Sequence, residues 1–153
     1  MRDLRGTTYP RLMDPGRYTE IDHTADLGLD LDGPTPEAVL EAAQRGLIHV
    51  LFGEIPDLDA DERRVVELAE SDRAELLKAW CESLYEHLET DGFVTVECDV
   101  ESADPDGFRA TLRGARPPAE TVARASELKA VTWHQLAFER SDGRWRARVI
   151  FDV

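Results

Sequence analysis

The sequence predicts an α+β domain, a mixed or antiparallel sheet of roughly seven strands with two main helices, on three observations. Short segments with an apolar residue at every second position recur between turn signals, and two longer segments carry apolar residues at helical spacing behind capping residues. The strands also follow one another mainly as hairpins and not as regular strand–helix–strand units. With 153 residues, the chain has the size of one compact domain that buries its own core. We read residues 1–17 as a flexible N-terminal tail and residues 18–153 as the domain.

The tail mixes Arg, Pro, Gly and Thr without an apolar period. Structure is expected from about Tyr18. Leu27, Leu29 and Leu31 alternate with Gly28, Asp30 and Asp32, the pattern of a strand with one wet face, and Gly33-Pro34 turns the chain. Thr35 is placed to cap a helix whose first residue is Pro36, where a missing amide hydrogen costs nothing. Val39, Leu40, Ala43, Leu47 and Leu51 mark one face of that helix, and Gly53 ends it. An acidic loop leads to a short strand from Arg64 to Ala69. Asp72 followed three residues later by Glu75 reads as a capping box, and Leu76, Leu77, Trp80, Cys81, Leu84, Tyr85 and Leu88 form a broad apolar stripe behind it.

Asp91-Gly92 breaks that helix, after which Val94, Val96, Cys98 and Val100 alternate as a strand. Asp104-Pro105-Asp106-Gly107 reads as a hairpin turn into Phe108, Ala110 and Leu112. A connection runs from Gly114 to about Ser126. Two last strands, Ala130 to Arg140 and Arg144 to Val153, are joined by Ser141-Asp142-Gly143. In the final strand Trp145, Ala147, Val149 and Phe151 face one way, and Arg144, Arg146 and Arg148 the other.

Charge narrows the classes of function. Lys and Arg number 18 against 32 Asp and Glu, a formal charge of −14 that repels phosphate backbones, so direct non-specific nucleic-acid binding is not expected. The same field favours cations or the basic surface of a partner protein. Cys81 and Cys98 form no CxxC pair, which suggests neither a zinc ribbon nor a disulfide framework. No apolar run approaches the roughly 18 residues of a membrane span, and the start lacks a signal-peptide core, so a cytoplasmic protein with no membrane association is expected.

Several residues are of a type that carries chemistry. His23 and Asp26 beside a strand could be an acid/base pair, although no Ser or Cys nucleophile accompanies them in a recognisable motif. Equally, Asp26 or Thr24 bonds local backbone while His23 packs. Phe151-Asp152-Val153 offers the Asp152 side chain and the Val153 terminal carboxylate as neighbouring hard oxygen ligands that suit a cation, or Asp152 is a solvated strand end. The Lys129 ammonium could serve a phosphate, a salt bridge or nothing. His134 is as compatible with a core histidine bonded to backbone as with a site residue. The arginine row of the last strand reads as a solvated edge.

Four segments taken together resemble the archease family. They are Asp22-His23-Thr24-Ala25-Asp26, Leu84-Tyr85-Glu86-His87 running to Asp91-Gly92-Phe93-Val94, Glu127-Leu128-Lys129-Ala130-Val131-Thr132-Trp133-His134, and Arg146-Ala147-Arg148-Val149-Ile150-Phe151-Asp152-Val153. The resemblance runs from about Tyr18 to Val153. It implies a divalent metal, calcium, held by the Asp of the HTAD motif and the last two residues, which here are Asp26, Asp152 and Val153. Val153 stands where Ile or Leu is frequent, a change that a main-chain or terminal oxygen does not feel. Oxygen-only ligands suit calcium or magnesium and not a zinc-type catalytic site. The family's KAV-T-aromatic-H signature draws Lys129 toward a functional role, and Trp133 replaces the Tyr often found there.

The resemblance further implies a non-catalytic helper of RtcB-type, GTP-dependent RNA ligases in tRNA splicing and RNA repair. Such ligases join 3′-phosphate or cyclic-phosphate ends to 5′-hydroxyl ends through a GMP-linked histidine, and the helper speeds guanylylation and permits repeated turnover. Two rival readings stand beside it: a metal-dependent phosphohydrolase built on Asp26, His23 and Asp152, and a chaperone-like adaptor with no specific ligase partner.

Overall fold

A computed structural model describes residues 14–22 and 26–153. In chain order they form strands β1 (Arg17–Asp22) and β2 (Asp26–Gly33), helix α1 (Pro36–Phe52), β3 (Glu62–Leu68), α2 (Arg73–Asp91), β4 (Val94–Ser102), β5 (Phe108–Ala115), a short α3 (Ala119–Val122), β6 (Ala130–Val131), β7 (Ala137–Ser141) and β8 (Arg144–Asp152). The fold is α+β, and every strand pairing is antiparallel. Among the described residues there are eight strands, more than the roughly seven expected because the run 130–140 breaks into β6 and β7. They divide between two sheets: a five-stranded one, in which β1, β2, β8 and β6 follow in order and β7 also pairs with β8, and a three-stranded one in the order β3, β5, β4.

The capping residues place both helices. Thr35 accepts from the amide of Ala38 at 3.1 Å, Pro36 opens α1, and Gly53 closes it at φ 75°. Asp72 accepts from the amide of Glu75 at 2.9 Å, and the Glu75 carboxylate accepts in return from the amide of Ser71 at 3.3 Å, so a capping-box exchange starts α2. Helix α1 packs against β1, β2 and β8 of the larger sheet and against β4 of the smaller. It is therefore buried around most of its girth, with Gln44 inside as well as the expected leucines. Gly46 allows this approach: a Cβ there would lie 2.8 Å from a Leu29 methyl. The core also holds Trp80, whose ring lies 5.1 Å from that of Phe108 and whose indole N–H donates to the Leu40 carbonyl at 2.8 Å.

Two segments depart from the sequence reading. The run 130–140 is not one strand: β6 and β7 are separated by a turn in which the Leu136 amide donates to the Trp133 carbonyl and Gln135 takes a left-handed φ of 52°. Of the expected tail, residues 1–13 lie outside the described residues, while residues 14–17 are tied to the domain. Asp14 accepts from the Gly16 amide and from Arg144, and Arg45 donates to the carbonyls of Pro15 and Gly16. The turn Ser141-Asp142-Gly143 forms as expected, with positive φ at Asp142 and Gly143, the pair that a tight hairpin with right-handed strand twist requires. Among the described residues no helix is long and apolar enough to cross a membrane.

Candidate functional site

The pairing of β2 with β8 brings together chain positions 126 residues apart in sequence, with Asp26 opposite Asp152 and Gly28 opposite Ile150. Strand alternation puts Leu29 and Leu31 into the core and Asp26, Gly28, Asp30 and Asp32 on the other face. Across that face the acids and bases of the two strands are matched. Arg148 donates to both carboxylate oxygens of Asp30, at 2.7 and 2.9 Å, and Arg144 binds Asp32, which also takes Arg17. The Arg148 guanidinium is pushed above its ordinary value by its bonds to Asp30. The arginine row read from the sequence as a solvated edge is thus largely engaged, with Arg146 left exposed.

The end row is different. Asp26 and Asp152 face each other directly, a geometry in which Cβ atoms stand about 4.5–5.5 Å apart and like charges destabilise the pair. Among the described residues, neither carboxylate has an ion-pair or hydrogen-bond partner. Asp26 is half-buried and Asp152 exposed. Gly28 lets the strands close beneath this row, because a Cβ there would lie 2.6 Å from the Ile150 Cδ1 and 2.9 Å from the Val149 carbonyl oxygen.

The segment from Glu127 to Leu136 borders the row and is pinned at several points. The Leu128 amide donates to the Tyr85 hydroxyl of α2 at 3.1 Å, the Lys129 amide donates to the Asp152 carbonyl at 2.8 Å, and Ala130 stands in register with Asp152. Thr132 donates twice to the Ile150 carbonyl, from its amide at 2.9 Å and its hydroxyl at 3.0 Å. Arg148 then reaches the Gln135 side chain at 3.0 Å, which steadies the left-handed residue of the following turn. That turn carries Trp133, 64% exposed, with the Lys78 ammonium 4.8 Å from its ring centre.

Asp26, Asp152 and Lys129 are therefore brought to one end of the larger sheet. Val153 packs its side chain against the core, which keeps its main chain next to Asp152. His23 lies outside the described residues. His134 is exposed on the turn, not a core histidine, and its amide donates to the Thr132 hydroxyl. The exposure of Trp133 on a turn escaped the sequence reading, which noted its replacement of Tyr in the signature but placed it within a strand. Cys81 and Cys98 are both buried, and burial pushes the Cys81 thiol up to about 12.

The donor chemistry fits a hard cation in part. Two opposed carboxylates without a basic partner supply oxygen and negative charge, but among the described residues no three Asp, Glu, His or Cys side chains converge on one point. A complete shell would need further oxygen ligands, from the main chain near Val153 or from water.

Comparison with known proteins identifies the family and the fold. Residues 18–153 match the model of the Archease protein family (MTH1598/TM1083). A Methanopyrus kandleri protein archease is 34% identical over 142 residues, covering 89% of this chain and 99% of that protein. A Thermococcus gammatolerans protein archease is 31% identical, covering 90% and 99%. The solution structure of Methanobacterium thermoautotrophicum protein 1598 superposes with a TM-score of 0.70 at 29% identity, covering 89% of this chain and 98% of that one. A Thermotoga maritima crystal structure, described as an archease and possible chaperone, shares the fold with a TM-score of 0.62 at 23% identity over 87% of this chain and 94% of that one. This chain belongs to the archease family.

Proposed function

We propose that this protein is a non-catalytic activator of an RtcB-type, GTP-dependent RNA ligase, promoting ligase guanylylation and repeated turnover in tRNA splicing and RNA repair. In this reading it works through a divalent cation, calcium, held by Asp26, Asp152 and Val153. Family membership supports the class of protein. The observation that carries the site is the end row of the larger sheet, where two carboxylates face each other while every other acid of β2 on that face has an arginine.

A folded protein holds like charges in register at a cost, and a cation binding between them removes it. When bound, the ion would supply local positive charge able to orient phosphate or carboxylate groups of a partner. The chain's own residues would do the rest. Lys129, fixed by its amide on Asp152, offers a second cation beside the row, and Trp133 offers a rigid apolar contact of the kind that anchors interfaces. Activation then requires that the protein bind the nucleotide-transfer conformation of the ligase more tightly than the others. The description of the Thermotoga relative as a possible chaperone favours a second reading, a partner-binding adaptor without a dedicated ligase.

The test is RNA joining by the cognate RtcB-type ligase with RNA in excess, comparing no addition, the wild-type protein, Asp26→Ala and Lys129→Ala. Strong stimulation by the wild-type that either substitution abolishes is the expected result. Equal stimulation by all three proteins would keep the helper and remove the site. No stimulation of an active ligase by folded protein would remove the ligase reading, and the adaptor reading would stand.

A further inference from the structure

The two edges of the three-stranded sheet are finished differently. Along β4, side chains of α1 occupy backbone groups: Gln44 donates to the Thr95 carbonyl and Glu41 accepts from the Val100 amide, each at 2.9 Å. Along β3, among the described residues, backbone groups bond only across to β5. An unfinished edge of this kind is a template for another strand. It also displays Val65, 52% exposed, which with Trp133 makes up the exposed large hydrophobic residues among those described.

The charges along β3 indicate what strand fits. Arg63, Val65 and Glu67 share the outer face, opposite Arg113, Thr111 and Arg109 of β5. Arg113 is taken by Glu97 and Asp99, so Arg63 faces a like charge across the ladder and, among the described residues, has no partner of its own. Glu67, at the same edge, already accepts from Arg109 of β5, so its carboxylate would be shared between Arg109 and Arg63 of a second copy. A two-fold axis perpendicular to the sheet at Val65 sets Val65 against itself, Arg63 against Glu67 of the second copy, and Glu67 against its Arg63. Shifting the axis to Arg64 would set two arginines against each other. Shifting it to Val66 would set Val65 against Glu67 and leave Arg63 unpaired.

The other open edges lack this self-complementarity. An axis at Glu20 in β1 or at Glu139 in β7 opposes two glutamates. We infer that β3 is a self-association edge, through which two copies pair antiparallel about Val65 and join their three-stranded sheets into one, with Arg63 and Glu67 exchanged across the axis. This pairing is isologous and uses no strand of the sheet that carries Asp26 and Asp152. A net charge of −14 on each copy opposes the encounter, so the association is weak and concentration-dependent.

The test is sedimentation of the full chain from about 10 μM to about 1 mM at physiological salt, a range suited to weak, transient interfaces. The wild-type mass should rise from 17.2 kDa toward twice that value. Arg63→Glu and Glu67→Arg should each weaken association at least about tenfold, by placing like charges across the axis. An equimolar mixture of these two variants should associate again, since one then offers two carboxylates and the other two guanidiniums. Arg146→Glu, the same change of charge at an exposed arginine of the other sheet, should behave as wild-type, and Val65→Asp should abolish association without relying on either charge. A wild-type chain that stays monomeric throughout, variants that associate as tightly as wild-type, or folded charge variants that fail to associate when mixed would each overturn the inference.

Discussion

Gly28→Ala measures how closely β2 and β8 must approach beneath the opposed carboxylates. On propensity alone, alanine in a strand should stabilise by roughly 0.5–1 kcal/mol, because glycine loses more backbone freedom on folding. The structure predicts the opposite sign. The added Cβ would stand 2.6 Å from the Ile150 Cδ1 and 2.9 Å from the Val149 carbonyl oxygen, and the second of these cannot rotate away. Overpacking of this kind costs about 1–3 kcal/mol, and against a propensity gain of about 0.5–1 kcal/mol the mid-range of the two leaves a net loss of about 1 kcal/mol. For a domain of this size that corresponds to a fall of about 2–4 °C in Tm, together with a lower urea midpoint at unchanged slope. Ile150→Val removes the Cδ1 that the new methyl would meet, so the double variant should recover part of the loss, with a coupling of at least about 0.5 kcal/mol. Gly28→Ala as stable as wild-type, or more so, would show that the strands are not in close contact here and that the register beneath the carboxylates is wrong.

Two further predictions concern titratable groups away from the site. Burial, and then the Arg64 guanidinium, holds His87 below its ordinary value of 6.5, and Arg64 donates to its Nδ1 at 2.9 Å, which requires a neutral ring. Asp91 and Glu86 pull the other way. The native state therefore binds fewer protons than the unfolded chain. The contribution is complete above about pH 6.5 and is lost as the pH falls through the lower native value. The urea midpoint should decline from about pH 7.5 to pH 5.5 less steeply in His87→Gln than in wild-type, and an identical decline would discount the Arg64–His87 contact. Cys81 and Cys98 are both buried, with the Cys81 thiol pushed up to about 12, so a thiol reagent at mildly alkaline pH should label neither in the native protein and both in denaturant. Rapid native labelling would contradict the packing of α2.

Much of the fold was legible because local chemistry and long-range packing agree. Thr35, Pro36 and Gly53 bound α1, and Asp72, Glu75 and Gly92 bound α2, as their capping roles predict. The break between β6 and β7 was not legible, because Gln135 adopts the left-handed conformation where a turn usually announces itself with Gly or Asn. Of the arginine row expected to be solvated, Arg144 and Arg148 proved to be paired with Asp32 and Asp30, while Arg146 is exposed. Complementary alternation in DLGLDLDG and RWRARVIFD carries that signal, but only once the two strands are known to be neighbours. Asp26 and Asp152 could be nominated from motif resemblance, whereas their direct opposition depends on a register between strands at opposite ends of the domain. The rigid exposure of Trp133 follows from Thr132 holding the Ile150 carbonyl and Arg148 holding Gln135, contacts that no local pattern encodes.

The central claim, that the opposed carboxylates act through a cation on the ligase, is tested most directly by the rate of ligase guanylylation from GTP. The ligase should first be loaded with its own metal, and this protein then added after chelation and after return of calcium. The account predicts strong acceleration with calcium, loss of that acceleration in the chelated protein, and none from Asp26→Ala or Asp152→Ala in either condition. Acceleration by the chelated protein, or by folded Asp152→Ala, equal to that of the calcium-loaded wild-type would contradict it.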